Sequence, residues 1–325
     1  MITTIFEAAW IVFMDSRLRG NDDQGDVLMS NFDQDRALGF LVPERNARGR
    51  LVRLGPTLEA VLAHHGYPPV IEKLLAEALV LAALLGTLLK DEGSQLTMQA
   101  QTEAGPVSLL VADYKDGAVR GYVQFDEEKL ALCPETPTLM ALFGKGYLAI
   151  TFDQAVTNER YQGIVPLEGA GLCDAVEHYF AQSEQIPSLI TLGISPDRRV
   201  AGGMILQHLP EGEVGRERLH VRHDHPEWEH MRIMGASLQV EEMTDPALPL
   251  ETLIWRLFHD EGELRVTGGA SLSKGCRCTV EHIRSVLTRF PDDDRAEMAD
   301  DTGQITVDCS FCAKNFHFQL SELAG

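Results

Sequence analysis

Basic residues and long apolar runs are both scarce in this sequence. It has 28 Lys and Arg against 49 Asp and Glu, a formal net charge of -21. Because nucleic-acid binding draws much of its strength from cations that neutralise phosphates, DNA and RNA are not expected as partners. The apolar stretch over residues 1–14 is too short to cross a bilayer, is interrupted by Glu7 and has no basic residue before it. We therefore expect no membrane association and a cytoplasmic, reducing location.

Motifs for nucleotide-driven or hydrolytic catalysis are also missing. The chain has no Gly-rich loop ending in Lys-Ser or Lys-Thr, and Gly144-Lys145-Gly146 is too short to cradle phosphates. It has no Gly-x-Ser-x-Gly nucleophile elbow and no His-Glu-x-x-His pair. The sequence is therefore not expected to encode an enzyme.

The pattern of apolar residues predicts an α+β fold with an antiparallel sheet. Residues 71–90 are rich in Ala and Leu and apolar around most of the helical circumference, which predicts a buried helix. Alternating patterns separated by Gly-Pro and Asp-Gly turns predict a meander of strands over 95–101, 107–112 and 118–124. Further strands are expected over 49–54, 146–152 and 188–192, and a helix over 172–182.

Changes in composition divide the chain into four parts. Residues 1–29 are expected to be an N-terminal extension outside the native fold, because Met29 opens a more conventional beginning. Residues 30–219 would form the α+β core. Residues 220–270 are densely charged at first and then predict a helix over 252–258, which is typical of a marginally stable helical linker. Gly268 and Gly269 would mark a joint before a small module over residues 271–325.

The C-terminal module contains two closely spaced cysteine pairs. Cys276 and Cys278 form a Cys-x-Cys pair, and Cys309 and Cys312 form a Cys-x-x-Cys pair after a long spacer. Each pair can supply two thiolates locally, so the set suits one tetrahedral zinc ion. Within the spacer, a helix is expected over 280–290 and a strand over 303–308. A zinc knuckle with a purely structural role remains the alternative, whereas the acidic spacer argues against a nucleic-acid-binding finger.

An all-thiolate site is also sensitive to oxidation. Zinc-bound sulfurs stay deprotonated and oxidisable, so oxidation would remove the ligands, eject the ion and unfold the module. The remaining cysteines, Cys133 and Cys173, are distant in sequence and are expected to be buried thiols without function. A cluster of histidines in the charged segment is interpreted as a solvated region rather than a second metal site. This cluster comprises His220, His223, His225 and His230.

Several segments in a fixed order resemble the heat shock protein 33 family, the redox-regulated 33 kDa bacterial chaperonins. The resemblance extends from about residue 32 to residue 320 and includes the cysteine module. The matching segments are 83–90, 105–107, 111–114, 120–122, 182–187, 202–210 and 255–259. The chain departs from the family pattern in its N-terminal extension, which puts only the start site in doubt.

The resemblance implies an ATP-independent holdase that is inactive while reduced and zinc-bound. Oxidants such as peroxide or hypochlorous acid would form the disulfides Cys276-Cys278 and Cys309-Cys312. Zinc would leave, the linker would unfold, and the active homodimer would bind unfolded client proteins. The Cys276-Cys278 bridge requires a bend at Arg277 and should be easily reduced. A constitutive zinc-stabilised protein-binding module is the alternative function.

Overall fold

The computed structural model of the chain describes residues 34–209 and 225–323. The expected N-terminal extension over residues 1–29 lies outside these ranges, as do His220 and His223 of the charged segment.

Strands and helices are numbered in chain order within the described residues. The strands are β1 (Arg36–Val42), β2 (Ala47–Leu54), β3 (Gln95–Gln101), β4 (Val107–Lys115), β5 (Ala118–Phe125), β6 (Tyr147–Asp153), β7 (Arg160–Pro166), β8 (Ser188–Ser195), β9 (Val200–His208), β10 (Arg265–Ser271), β11 (Ser273–Lys274), β12 (Gln304–Asp308) and β13 (Asn315–Gln319). The helices are α1 (Pro56–Leu62), α2 (Pro69–Gly86), α3 (Glu127–Leu130), α4 (Leu139–Phe143), α5 (Leu172–Tyr179), α6 (Pro226–Ala236), α7 (Val240–Met243), α8 (Leu250–Phe258), α9 (Val280–Leu287) and α10 (Asp292–Met298).

The strands form two large sheets and one small one. The five-stranded sheet has the order β10-β1-β2-β9-β8, and the six-stranded sheet has the order β11-β5-β4-β3-β6-β7. Strands β12 and β13 form a separate hairpin. All these pairings are antiparallel except that of the short β11 with β5. The predicted α+β class with antiparallel sheets is confirmed.

Helix α2 forms the centre of the main core. It contacts β4 and β5 of the six-stranded sheet and β2 and β9 of the five-stranded sheet. Its Leu, Ala and Val side chains are buried along nearly its whole length, as its Ala- and Leu-rich sequence predicts. The helix ends at Gly86 rather than at Lys90, and a Cβ on Gly86 would lie 2.2 Å from the ring of Tyr114. Glycine there allows strand β4 to approach the helix closely.

The predicted meander is confirmed as strands β3, β4 and β5, which pair in sequence order. Asp116 and Gly117 connect β4 to β5 and both have positive φ, 49° and 82°. Two consecutive left-handed residues make the type I′ hairpin turn that matches the twist of antiparallel strands. The Asp-Gly dipeptide was therefore a reliable signal for this turn.

Helices α6 to α8 cover the opposite face of the five-stranded sheet and build a second core. The sheet contributes Leu38, Phe40, Val42, Leu51, Met204 and Leu206. The helices contribute Trp228, Met231, Met243, Leu250, Leu253, Ile254, Leu257 and Phe258. Most of the predicted linker is therefore folded against the core sheet, with apolar side chains that each contribute about 1.5–3 kcal/mol when fully buried.

A buried arginine of the sheet also binds this helical segment. Arg53 on β2 is 0% exposed. Its Nε donates to the Met243 carbonyl at 2.8 Å, its Nη1 to the Leu248 carbonyl at 2.8 Å and its Nη2 to the Glu242 carbonyl at 3.3 Å. The guanidinium thus satisfies backbone acceptors at the end of α7 and in the loop that leads to α8.

The end of the predicted linker belongs to the core sheet. Gly268 and Gly269, expected as a joint, lie inside β10, which pairs with β1 at the sheet edge. Within the described residues, no helix is long and apolar enough to cross a membrane.

Candidate metal centre

Four cysteine sulfurs converge at the start of the C-terminal module. The Sγ atoms of Cys276, Cys278, Cys309 and Cys312 all lie within 4.8 Å of one another. The separations are 3.1 Å for Cys276–Cys278 and 3.5 Å for both Cys276–Cys309 and Cys278–Cys312. A tetrahedral ion with zinc–sulfur bonds of about 2.3 Å would place its sulfurs about 3.8 Å apart. The cysteines are free and half-buried, so this cluster can hold a metal ion.

The first cysteine pair is positioned by the edge of the six-stranded sheet. Strand β11 pairs with β5 immediately before Cys276, and the Gly275 N–H donates to the Val119 carbonyl at 2.9 Å. The Lys274 ammonium donates to the Ala60 carbonyl at 2.7 Å. After the pair, the Thr279 hydroxyl accepts a hydrogen bond from a backbone N–H of the first turn and caps α9. Fixed backbone on both sides therefore limits the movement of Cys276 and Cys278.

The second pair sits in a tight turn between β12 and β13. The Cys309 N–H donates to the Lys314 carbonyl at 3.0 Å, and the N–H groups of Cys312 and Ala313 donate to the Cys309 carbonyl at 3.2 Å and 2.7 Å. Ala313 closes the turn in the left-handed conformation with φ 52°. This turn places both sulfurs on the side that faces Cys276 and Cys278.

The electrostatics of the cluster favour a bound cation. Burial alone would raise the pKa of Cys276, but hydrogen bonds from Cys278 and from the Cys312 and Cys309 thiols lower this pKa to about 7. Burial raises the pKa of Cys278 and of Cys309, and the Cys276 and Cys312 sulfurs raise both further. The Cys276 thiolate therefore forms readily, whereas its negative charge opposes ionisation of Cys278 and Cys309 unless a cation compensates.

The hydrophobic core under the cluster is small. Its buried members are Leu287, Ile305, Phe316, Phe318 and Leu323. The sulfur-bearing Cys278 and Cys309 pack against this core from one side. Modules with so few buried side chains usually depend on a metal or a disulfide for their stability. The folded state of the module and the geometry of the cysteine cluster should therefore depend on each other.

The other candidate residues lie apart from the cluster. Cys133 and Cys173 are not members of it, and burial raises the pKa of Cys173. The His225 ring lies 5.3 Å from the His208 ring, and His230 Nε2 lies 2.7 Å from Glu261 Oε1. Among the described residues, no second group of metal-ligating side chains is found.

Sequence patterns did not reveal the side chains that join the module to the core. Arg277 lies between Cys276 and Cys278, and its Nη1 donates to Gln95 Oε1 of β3 at 2.5 Å. Phe311 lies between Cys309 and Cys312, and its ring contacts Tyr122 of β5 edge to face, with 4.9 Å between ring centroids. A residue between two closely spaced cysteines carries no periodic signal for burial, so sequence patterns alone do not predict these contacts.

The sequence is similar to one family of known proteins. The family model described as Hsp33 protein matches residues 35–319. The 33 kDa chaperonin of Caulobacter vibrioides (strain NA1000 / CB15N) is 36% identical over 285 residues, which cover 85% of this chain and 91% of that protein. The 33 kDa chaperonin of Yersinia pestis (strain Pestoides F) is 35% identical over 299 residues, with coverage of 91% and 95%.

A solved structure shows the same fold. The crystal structure of the 33 kDa chaperonin (heat shock protein 33 homolog) from Thermotoga maritima matches with a TM-score of 0.71 at 23% identity, over 89% of this chain and 97% of that chain. Together with the family model and the relatives above 30% identity, these findings establish that the chain belongs to the Hsp33 family.

Proposed function

We propose that this protein is a redox-regulated, ATP-independent chaperone that holds unfolding proteins under oxidative stress. The observation that carries the proposal is the four-cysteine cluster, which lies beside the core sheets of a chain whose curated relatives are named chaperonins. The reduced protein would bind one zinc ion and be inactive. The proposed location is cytoplasmic, and neither nucleic acid nor membrane is a proposed partner.

Zinc fits the donor set of this cluster. Cys276, Cys278, Cys309 and Cys312 would hold the ion, because soft thiolates in a tetrahedral set select zinc over hard cations that prefer oxygen. When bound, zinc keeps the four sulfurs deprotonated and links the two cysteine loops. In the reduced protein, the bonds between zinc and these four cysteines are then the main interactions that stabilise the module.

The proposed switch is oxidation within each pair. In each pair two thiolates lose two electrons and form one sulfur–sulfur bond, which gives Cys276-Cys278 and Cys309-Cys312. One peroxide accepts those electrons, its oxygen–oxygen bond breaks, and with two protons from solvent it leaves as two waters. The 3.1 Å approach of Cys276 to Cys278 supports pairing within the first loop. The loss of four thiolate ligands removes the stabilisation of the module.

Unfolding of the linker would follow and expose the binding surface. In the proposed layout, residues 30–219 are the core, 220–270 the linker and 271–325 the switch. Release of α6 to α8 would uncover the apolar side chains of β1, β2 and β9 that now face them, including Phe40, Leu51 and Leu206. A contiguous apolar sheet face of this kind suits unfolded polypeptides, and also suits a second activated copy in the proposed homodimer.

Zinc release and client aggregation would test this function together. Peroxide at mild heat should release about one zinc per chain from the four-coordinate site, and a thiol reductant with added zinc should reverse the release. Light scattering of a heat-aggregating client should be suppressed only by the oxidised protein. A Cys133→Ser/Cys173→Ser variant is the matched control and should behave as wild type. Equal suppression before and after oxidation would instead identify a constitutive binding module.

A further inference from the structure

The residues between the cysteines of each pair contact the same face of the six-stranded sheet. Arg277 Nη1 binds Gln95 on β3, and its Nη2 lies 3.9 Å from Asp113 Oδ2 on β4. The Phe311 ring lies under the guanidinium of Arg120 on β5, with Cζ 3.9 Å from the ring centroid. Two loops that are far apart in sequence therefore meet one small area of the core.

A buried carboxylate organises that area. Asp113 is 2% exposed and faces Arg120 directly across the β4–β5 ladder. Its Oδ2 accepts hydrogen bonds from Arg120 Nε at 2.8 Å and Nη2 at 2.6 Å. These two charge-assisted bonds to one oxygen fix the Arg120 guanidinium where it can stack on Phe311, and Asp113 Oδ2 also lies within reach of Arg277. The core side of the contact is thus preorganised.

We propose that Arg277 and Phe311 form a docking contact that sets how readily the cysteine pairs are oxidised, an inference that rests on the proposed redox function. A disulfide requires its sulfurs to approach to about 2.05 Å, compared with 3.1 Å for Cys276–Cys278. Each pair must therefore contract around the residue or residues between its cysteines. The contraction displaces Arg277 in one loop and Phe311 in the other.

Reciprocity gives this contact its regulatory effect. If oxidation weakens docking by some factor, docking opposes oxidation by the same factor, because the coupling free energy between the two events is shared. Docking of the loops therefore favours the reduced cysteines, and the cysteines of undocked loops are easier to oxidise. Strand β11 also attaches the module to the core. This attachment differs from the docking contact, because β11 precedes Cys276 and pairs with β5 through its backbone.

The test compares Arg277→Gln/Phe311→Ala with Ser310→Ala. Ser310 is exposed and lies in the same cysteine loop as Phe311, which makes it the matched control. The reduced Arg277→Gln/Phe311→Ala variant should still bind one zinc ion per chain. At fixed free zinc in dithiothreitol redox buffers, its equilibrium constant for disulfide formation should rise about tenfold, which corresponds to a coupling free energy of about 1.4 kcal/mol. Ser310→Ala should stay within twofold of wild type.

A core-side variant separates docking from the chemistry of the loops. Tyr122→Leu leaves both cysteine loops unaltered but removes the aromatic edge that meets Phe311, and its equilibrium constant should rise in the same direction. Faster amide exchange in β5 of the reduced, zinc-loaded variants would support undocking independently of activity. An unchanged constant in both variants, or loss of zinc from the reduced double variant, would overturn the inference. Failure of wild type to release zinc on oxidation would instead refute the proposed function.

Discussion

Replacing Arg53 with methionine should loosen the helices that cover the five-stranded sheet. Arg53 is fully buried, and it donates three hydrogen bonds to backbone carbonyls in the 242–248 region. Methionine fills much of the same volume but has no donor. The variant would leave the Met243, Leu248 and Glu242 carbonyls without these bonds, of which the bond to Met243 is buried and the other two are partly buried.

The size of the effect follows from these bonds. Charged hydrogen bonds contribute about 1.5–3 kcal/mol each, but they are not additive within one side chain. Leaving buried carbonyl acceptors unsatisfied costs about 1–3 kcal/mol in total. At about 1.36 kcal/mol per factor of ten, the equilibrium constant for local opening of this segment should rise about 5- to 160-fold.

Hydrogen–deuterium exchange in the reduced, zinc-loaded protein would measure this opening. Amides of residues 240–258 should exchange faster in Arg53→Met by roughly the factor above, whereas those of β3 to β5 should change little. Arg160→Met is the matched control, because Arg160 is an arginine on an edge strand with a side chain that is 72% exposed. Exchange over 240–258 within threefold of wild type would refute the assigned role of Arg53.

Three further outcomes are expected. Cys309→Ser should lower the zinc content of the reduced protein and increase proteolysis of the module, since one of four ligands is lost; full zinc content would contradict the ligand assignment. Cys173 should resist iodoacetamide at pH 8 in the folded protein and react after denaturation, because burial raises its pKa and the reactive thiolate forms only at higher pH. Gly203→Ala should destabilise the core by about 1–3 kcal/mol in urea unfolding, because the new Cβ would lie 2.5 Å from Leu192 Cδ2; unchanged stability would show that the neighbours can move aside.

Predictions from the sequence were most accurate where a single pattern determines the local structure. Helix α2, the meander of β3 to β5 and the cysteine cluster follow from apolar composition, turn residues and ligand spacing. Strand β9 was not predicted, because Gly202 and Gly203 are unfavourable in a strand by local propensity. The structure needs them because neighbouring elements approach both faces: Cβ atoms there would lie 2.8 Å from the Met243 carbonyl and 2.7 Å from Val80.

The burial of Arg53 is a second feature that the local sequence does not indicate. The alternation over residues 49–54 correctly predicted β2, but alternation usually means that one face of the strand meets solvent. In this fold both faces of the five-stranded sheet are covered, so Arg53 is buried. Whether a second layer covers a strand is a property of the whole topology, and local sequence does not encode it.

Under the proposed function, the placement of β10 has a consequence for how the oxidised protein would return to its inactive state. The chain leaves the five-stranded sheet after β9 and rejoins it at β10, so the segment with α6 to α8 is a loop with both ends on the sheet that it covers. For as long as β10 stays paired, a melted segment remains tethered at an effective concentration of about a millimolar. It would compete continuously with clients for the apolar face. After reduction, helices α6 to α8 would refold on the sheet and displace the client. Client release would then need no second protein.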